Sequence, residues 1–130
     1  MVLSGLLFAD HSNVGLDKLK ATNDCEFCHL KGTDLSGQDF SGAKINISNF
    51  VGANLSGSTF SGASLSGADL SGANLRDTDF SQSYLIGANL SGADLTGANF
   101  KAAVLDGADL SGAILCNTIM PDGDIDNSGC

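Results

Sequence analysis

Residues 25 to 32 read CEFCHLKG, and Cys25, Cys28 and His29 within them spell C-x-x-C-H, the pattern through which c-type haem is attached. Such attachment would make the chain an electron carrier. It needs export and a second axial ligand, for which only His11, Met1 and Met120 remain among the His and Met residues. The same cysteines could begin a zinc site, but zinc as a rule takes four N or S ligands. Cys25, Cys28, His29 and the distant His11 make a poor set. A disulfide between Cys25 and Cys28 is a third chemistry.

Cys116 and Cys130 bracket the C-terminal stretch CNTIMPDGDIDNSGC. A bond between them would close a fifteen-residue segment, worth about 3 kcal/mol in the chain-entropy model. Four cysteines allow three pairings. Asp122, Asp124 and Asp126 have the D-x-D-x-D spacing of a calcium loop. The match then fails, because Asn127 stands where the loop needs Gly and no bidentate Glu follows. No Ser/His/Asp or Cys/His set is apparent, so no enzyme is expected.

The composition narrows the partners. Formal charge is −9 over 130 residues, with six basic residues that form no patch. That disfavours nucleic acid and anionic membrane, both of which attract clustered Lys and Arg. No run of eighteen apolar residues exists to span a bilayer. The opening MVLSGLLFAD lacks a basic n-region, and Leu7 sits where a signal cleavage site needs a small residue. Two readings stay open for it: the stub of a longer leader, or an apolar cap with Leu3, Leu6, Leu7 and Phe8 packed nearby.

The elements that position these residues come from a five-residue beat. A Leu, Phe or Ile falls at 30, 35, 40 and every fifth position to 115, eighteen times without a miss. A small residue sits two before nearly every centre, Gln38 being the bulky exception, and Gly occupies thirteen of the slots two after it. Neither a helical nor a strand period produces this. A turn in every pentad does, with Ser-Gly as the middle of a type II turn whose second central residue needs φ > 0. Ile47, Asp77, Gln82 and Ala102 replace the Gly. A β-branched Ile47 resists φ > 0, so another turn type is expected there.

Phe40, Phe60, Phe80 and Phe100 are twenty residues apart. Four pentads then close one coil, giving a square cross-section and a single stacked Phe column with a rise of about 4.8 Å per coil. These A-(D/N)-L-S-G units, quoted at 63 to 75 as ASLSGADLSGANL, resemble the pentapeptide repeat family. The resemblance covers about residues 28 to 117. It implies an all-β fold, a right-handed quadrilateral β-helix, here of about four and a half coils. Residues 1–24 are expected to be an N-terminal cap segment, 25–117 the β-helix and 118–130 a C-terminal tail or cap. Within the first, residues 12 to 22 supply a short helix, N-capped by Ser12 or Asn13, with Val14, Leu16 and Leu19 turned to the core.

In this phase Cys25 takes a centre slot and Cys28 the small slot after it. Both then point inward and His29 outward. A centre and the next small residue are the first and fourth residues of a turn, within about 7 Å at Cα, which suits a disulfide. A core closed by Leu and Phe has no room for haem. The expected cofactor complement is none.

The resemblance implies a non-catalytic structural or protein-interaction module. Some members resemble duplex DNA and bind type II topoisomerases, which is the alternative function. Against it, no two Asp are neighbours within an outward column. Asp and Asn there read as solubility and ladder residues. The remaining outward column differs: Tyr84, Ile86 and Val104 would lie together on adjacent coils. That cluster marks a place for a protein partner, a dimer contact or a terminal segment of the chain itself. The oligomeric state stays open between a monomer and an end-to-end or face dimer. Family members of oxidising compartments also carry cysteines at both ends. This likeness implies the periplasm or the thylakoid lumen, whereas reduced cysteines would imply the cytoplasm.

Overall fold

The computed structural model describes residues 11–130, with side chains from residue 15 onward. Three elements carry regular labels: helix α1 over His11–Thr22, and two short strands, β1 over Thr118–Ile119 and β2 over Ile125–Asp126. Between α1 and β1 the chain is a continuous series of turns and single bridges. Each bridge is parallel and joins residues twenty apart, from Asp24↔Lys44 to Asn99↔Ile119. Four pentads therefore separate one coil from the next, and pairing extends from Asp24 to Ile119, beyond both ends of the 28 to 117 stretch.

The hydrogen bonds explain why a pentad is the unit. Every backbone N–H in a pentad needs a partner. Around Phe60, the Phe60 N–H donates to the Asp79 carbonyl in the next coil, at 2.7 Å, and Gly62 N–H does the same to Ser81 at 3.0 Å. Thr59 N–H donates backward to Gln38 at 3.0 Å, and Ala63 N–H closes the turn onto Phe60 at 2.9 Å. The fifth N–H, that of the residue after the centre, is taken by the side chain before the centre. Asp39 Oδ1 accepts from Ser41 N–H at 3.0 Å, and Asp69 Oδ1 from Ser71 N–H at 3.0 Å.

Inside the coils the centres and the small residues are buried together. Phe60 and Phe80 stack at 5.4 Å and Phe80 and Phe100 at 5.1 Å between ring centroids, the latter pair within 3° of parallel. Phe40 meets Phe60 at 5.3 Å with a 33° tilt, and Phe50 adds an edge-on contact to Phe60 at 6.4 Å. Small polar residues are tolerated inside because each reaches a carbonyl: Ser83 Oγ donates to Phe80 at 2.6 Å and Thr78 Oγ1 to Leu55 at 2.8 Å.

Ile47 does not behave as its branching predicts. Its φ is 57°, as left-handed as the glycines stacked above it at 67, 87 and 107. The ladder imposes this conformation, since Ile47 N–H donates to Ser66 at 2.9 Å on the same track as Gly67 to Ile86. Phe27 below it does the same, with φ 60°. A left-handed non-glycine residue costs roughly 1–2 kcal/mol.

Helix α1 is present from His11, so Ser12 and Asn13 lie inside it and neither caps it. Leu19 is buried in the core and Leu16, one turn earlier on the same face, packs against it, while Asp17, Lys18 and Lys20 are exposed. The helix stops at Asn23, left-handed at φ 57°, whose N–H still bonds the Leu19 carbonyl at 2.8 Å. Asn accepts that conformation more readily than most residues. Asn23 then accepts from Lys44 N–H at 2.9 Å and enters the first coil. The expected packing of Leu3, Leu6, Leu7 and Phe8 lies outside the described residues, as does the side chain of Val14.

At the other end β1 and β2 pair antiparallel, Thr118↔Asp126 and Ile119↔Ile125, across the Pro121-Asp122-Gly123 turn. The tail then returns to the last coil. Gly129 N–H donates to Leu115 at 2.7 Å, and any Cβ on Gly129 would meet Leu115 backbone N at 2.8 Å. Cys130 is disulfide-bonded to Cys116, with Cα atoms 5.0 Å apart.

Candidate interaction surface

Four columns of outward residues run up the coils, each residue sitting just before a core centre. Three of them are headed by His29, Asp34 and Asp39. In these, Asp or Asn accepts the N–H two residues on, again and again: Asn54 from Ser56, Asn74 from Arg76, Asn89 from Ser91, Asn99 from Lys101. The acidic and amide residues are thus turn caps within their own coil. The reading of them as solubility and ladder residues missed this role. The signal was present in the sequence as D/N-L-S, since Asp and Asn side chains hydrogen-bond backbone two residues ahead.

The caps also set the charge state. Serine hydrogen bonds hold the carboxyls of Asp34, Asp39 and Asp109 below the usual carboxylate range. At Asp94 burial pushes the other way, but bonds from Thr96 and Arg76 outweigh it. Arg76 and Asp94 form an ion pair at 3.1 Å across adjacent coils.

The fourth column is Asp24, Lys44, Ser64, Tyr84 and Val104. Here the cap is absent. Ser66 N–H is served from the coil below by Asn46 Oδ1 at 2.9 Å. Among the described residues no protein group accepts from the N–H of Asn46, Ile86 or Asp106. Tyr84 and Ile86 are half exposed, at 50% and 49%, and Tyr84 bridges Val104 in the next coil, where Val104 is half-buried. The turns that follow this column carry Phe27 and Ile47, 64% and 55% exposed. Ile47 leans over the next coil, its Cγ1 3.4 Å from where a Cβ on Gly67 would stand.

The cysteine motif lies at the base of the stack. Cys25 and Cys28 are disulfide-bonded, Cα atoms 5.5 Å apart, and both are buried. Cys25 Sγ lies 3.3 Å from the Gly15 carbonyl oxygen, beneath α1. A Cβ on Gly15 would sit 3.5 Å from Cys28 Sγ, so the helix closes over the bridge. The sulfurs face each other and the helix, while His29 is exposed on the outward column and bridges Asn49. The three parts of C-x-x-C-H therefore do not converge. Among the described residues no three His, Cys, Asp or Glu side chains are grouped to hold a metal, no cavity is found, and no helix is long and apolar enough to cross a membrane.

The sequence pattern of the family described as pentapeptide repeats matches in eight copies, over residues 24–46, 48–85 and 83–120. The chain is a pentapeptide repeat protein. Solved structures of the family resemble it. A pentapeptide repeat protein from the Arabidopsis thaliana thylakoid lumen is 29% identical with a TM-score of 0.62, over 88% of this chain and 73% of that one. One from Nostoc PCC 7120 is 33% identical with a TM-score of 0.66, over 70% of this chain and 76% of that one. QnrB1, a plasmid-mediated fluoroquinolone resistance protein, is 20% identical with a TM-score of 0.54, over 75% of this chain and 65% of that one. A search of curated proteins finds no significant match. The likenesses carry the fold of this pentapeptide repeat protein, a right-handed β-helix solenoid.

Proposed function

We propose that this pentapeptide repeat protein is a non-catalytic interaction module, a rigid four-sided solenoid capped below by α1 and above by the β1–β2 hairpin. Its binding surface centres on Tyr84, Ile86 and Val104. The observation that carries the reading is the repeated loss of turn capping along their column, at Glu26, Asn46, Ile86 and Asp106, with half-exposed Tyr84 and Ile86 at one of the uncapped turns. Clustered exposed apolar residues mark contact sites where scattered ones need no explanation. The topoisomerase-binding alternative finds less support. Asp39, Asp69 and Asp109 serve their own turns, and QnrB1 is similar at a level that speaks for fold.

Two disulfides at the two ends of the solenoid, and the likeness to a protein of a thylakoid lumen, support an oxidising compartment, lumen or periplasm. The test of the module is capture from an extract of the source organism by the immobilised chain. Tyr84→Ser/Ile86→Ser is expected to lose the captured partner. Equal recovery by wild type and variant would remove the proposed surface.

A further inference from the structure

The Tyr84 surface continues down the solenoid, and its extension indicates what kind of partner it takes. Phe27 and Ile47 occupy successive coils on the turns that follow the Tyr84 column, and Ile86 stands on the same turns two coils higher. Ile47 bridges the gap by lying over Gly67. Both lower residues are left-handed, where the three upper coils use glycine, and both are more than half exposed. Asp77, Gln82 and Ala102 take the same conformation on other sides, and what sets Phe27 and Ile47 apart is that large apolar side chains stand there, more than half exposed, where they contribute little to the fold. The missing caps above Lys44, Tyr84 and Val104 point independently to the same side.

We propose that Phe27, Ile47, Ile86, Tyr84 and Val104 form one apolar ridge that docks a cationic amphipathic helix lying along the solenoid axis. This rests on the interaction-module reading and names its partner class. The spacing selects a helix. Coils rise about 4.8 Å each, close to the ~5.4 Å between successive turns of a helix. An extended strand repeats one side every ~6.6–6.8 Å and falls out of register. From Phe27 to Val104 is four coil steps, roughly 19 Å, which a helix of about 13 residues covers.

The charge selects its sign. Along the ridge, its two flanking columns and their turns stand Asp24, Glu26, Asp39, Asp69, Asp79, Asp106 and Asp109, against Lys31, Lys44 and Lys101. A second copy of the chain would bring −9 against −9, and anionic lipid would be repelled likewise. A helix with lysines flanking a leucine stripe is attracted by the rims and matched by the ridge.

The probe is a labelled helical peptide with Leu at i, i+3, i+4 and i+7 and Lys on both flanks, measured by fluorescence anisotropy beside a twin carrying Glu for Lys. The lysine peptide is expected to bind at least ~tenfold tighter than its twin. Phe27→Gly/Ile47→Gly is expected to weaken it ~tenfold while the melting temperature holds or rises. Equal binding of both peptides, or binding unchanged in that variant and in Ile86→Ser, would overturn the proposal. So would a wild-type dimer in sedimentation that the variant loses, or capture by phosphatidylglycerol vesicles. If Tyr84→Ser/Ile86→Ser loses the captured partner while the lysine peptide ignores the ridge variants, the partner class fails and the module stands. Capture indifferent to Tyr84 and Ile86 removes the module itself.

Discussion

Two turns of the same solenoid, one after Asn89 and one after Tyr84, present the same backbone problem. After Asn89 the Ser91 N–H is bound by the Asn89 side chain at 3.0 Å, and the next residue is left-handed Gly92. After Tyr84 the Ile86 N–H has no protein acceptor among the described residues, and a phenol and a sec-butyl group are held out to solvent. Lower on that side, Phe27 and Ile47 take the left-handed position itself. Exceptions occur on the other sides too, at left-handed Asp77, Gln82 and Ala102 and at the N–H groups of Lys31 and Cys116, which have no acceptor among the described residues. The Tyr84 side differs in gathering them, with the N–H groups of Glu26, Asn46, Ile86 and Asp106 all uncapped and Phe27, Ile47, Tyr84 and Ile86 held out to solvent. Exceptions gathered in one place are the mark of a surface shaped by something besides folding.

The core beneath both kinds of column should be equally unforgiving, and gives the largest effect. Phe80→Ala removes a ring stacked on Phe60 and Phe100 and is expected to destabilise by about 3–5 kcal/mol, read from urea unfolding. Capping comes next. Asn89→Ala should lose about 1 kcal/mol by the same measurement, whereas Tyr84→Ser should change stability by less than about 0.5 kcal/mol. Equal losses at the two positions would erase the distinction between the columns.

Acid should sharpen the contrast further. The carboxyls of Asp34, Asp39 and Asp109 have folded pKa values below their unfolded ones, from hydrogen bonds of the serine two residues on. Their contribution is complete above the unfolded value, near ~4, and is lost as pH falls through the lower folded values. Melting temperature should therefore drop below about pH 4, and Asp39→Asn, which keeps an acceptor for Ser41, should soften the drop. A pH-independent melting temperature would show that the caps carry no stability.

Much of this was legible in the sequence because the pentad repeats its own evidence. Eighteen centres fix the phase, and the phase fixes which residue of each five turns inward. Cys25 and Cys28 follow from it, being buried where a centre and a small slot belong. The errors arose where one residue was judged by its own preference. Ile47 resists φ > 0 as an isolated residue, but its N–H belongs to a ladder that runs from Phe27 through Gly67 and Gly87. Cooperative pairing above and below outweighs a local preference of 1–2 kcal/mol. The ridge was hidden for a related reason. Its lower half sits at turn positions, two residues past a centre, so a list of residues before each centre omits Phe27 and Ile47. The expected N-cap failed because Ser12 and Asn13 both lie within the helix, whose ends a polar residue in the sequence marks only to within a residue or two.

The central claim is that the Tyr84 side gives up fold stability for contact. Tyr84→Asn restores a cap for Ile86 N–H, and Ile47→Gly restores the glycine that the upper coils use. The unfolding free energy of the double variant, from urea titration against the wild type, tests the claim most directly. A rise of about 1 kcal/mol is predicted, from relief of left-handed strain and one regained hydrogen bond less the entropy glycine adds to the unfolded chain. A fall of similar size would contradict it, by showing that Tyr84 and Ile47 are there to hold the solenoid together.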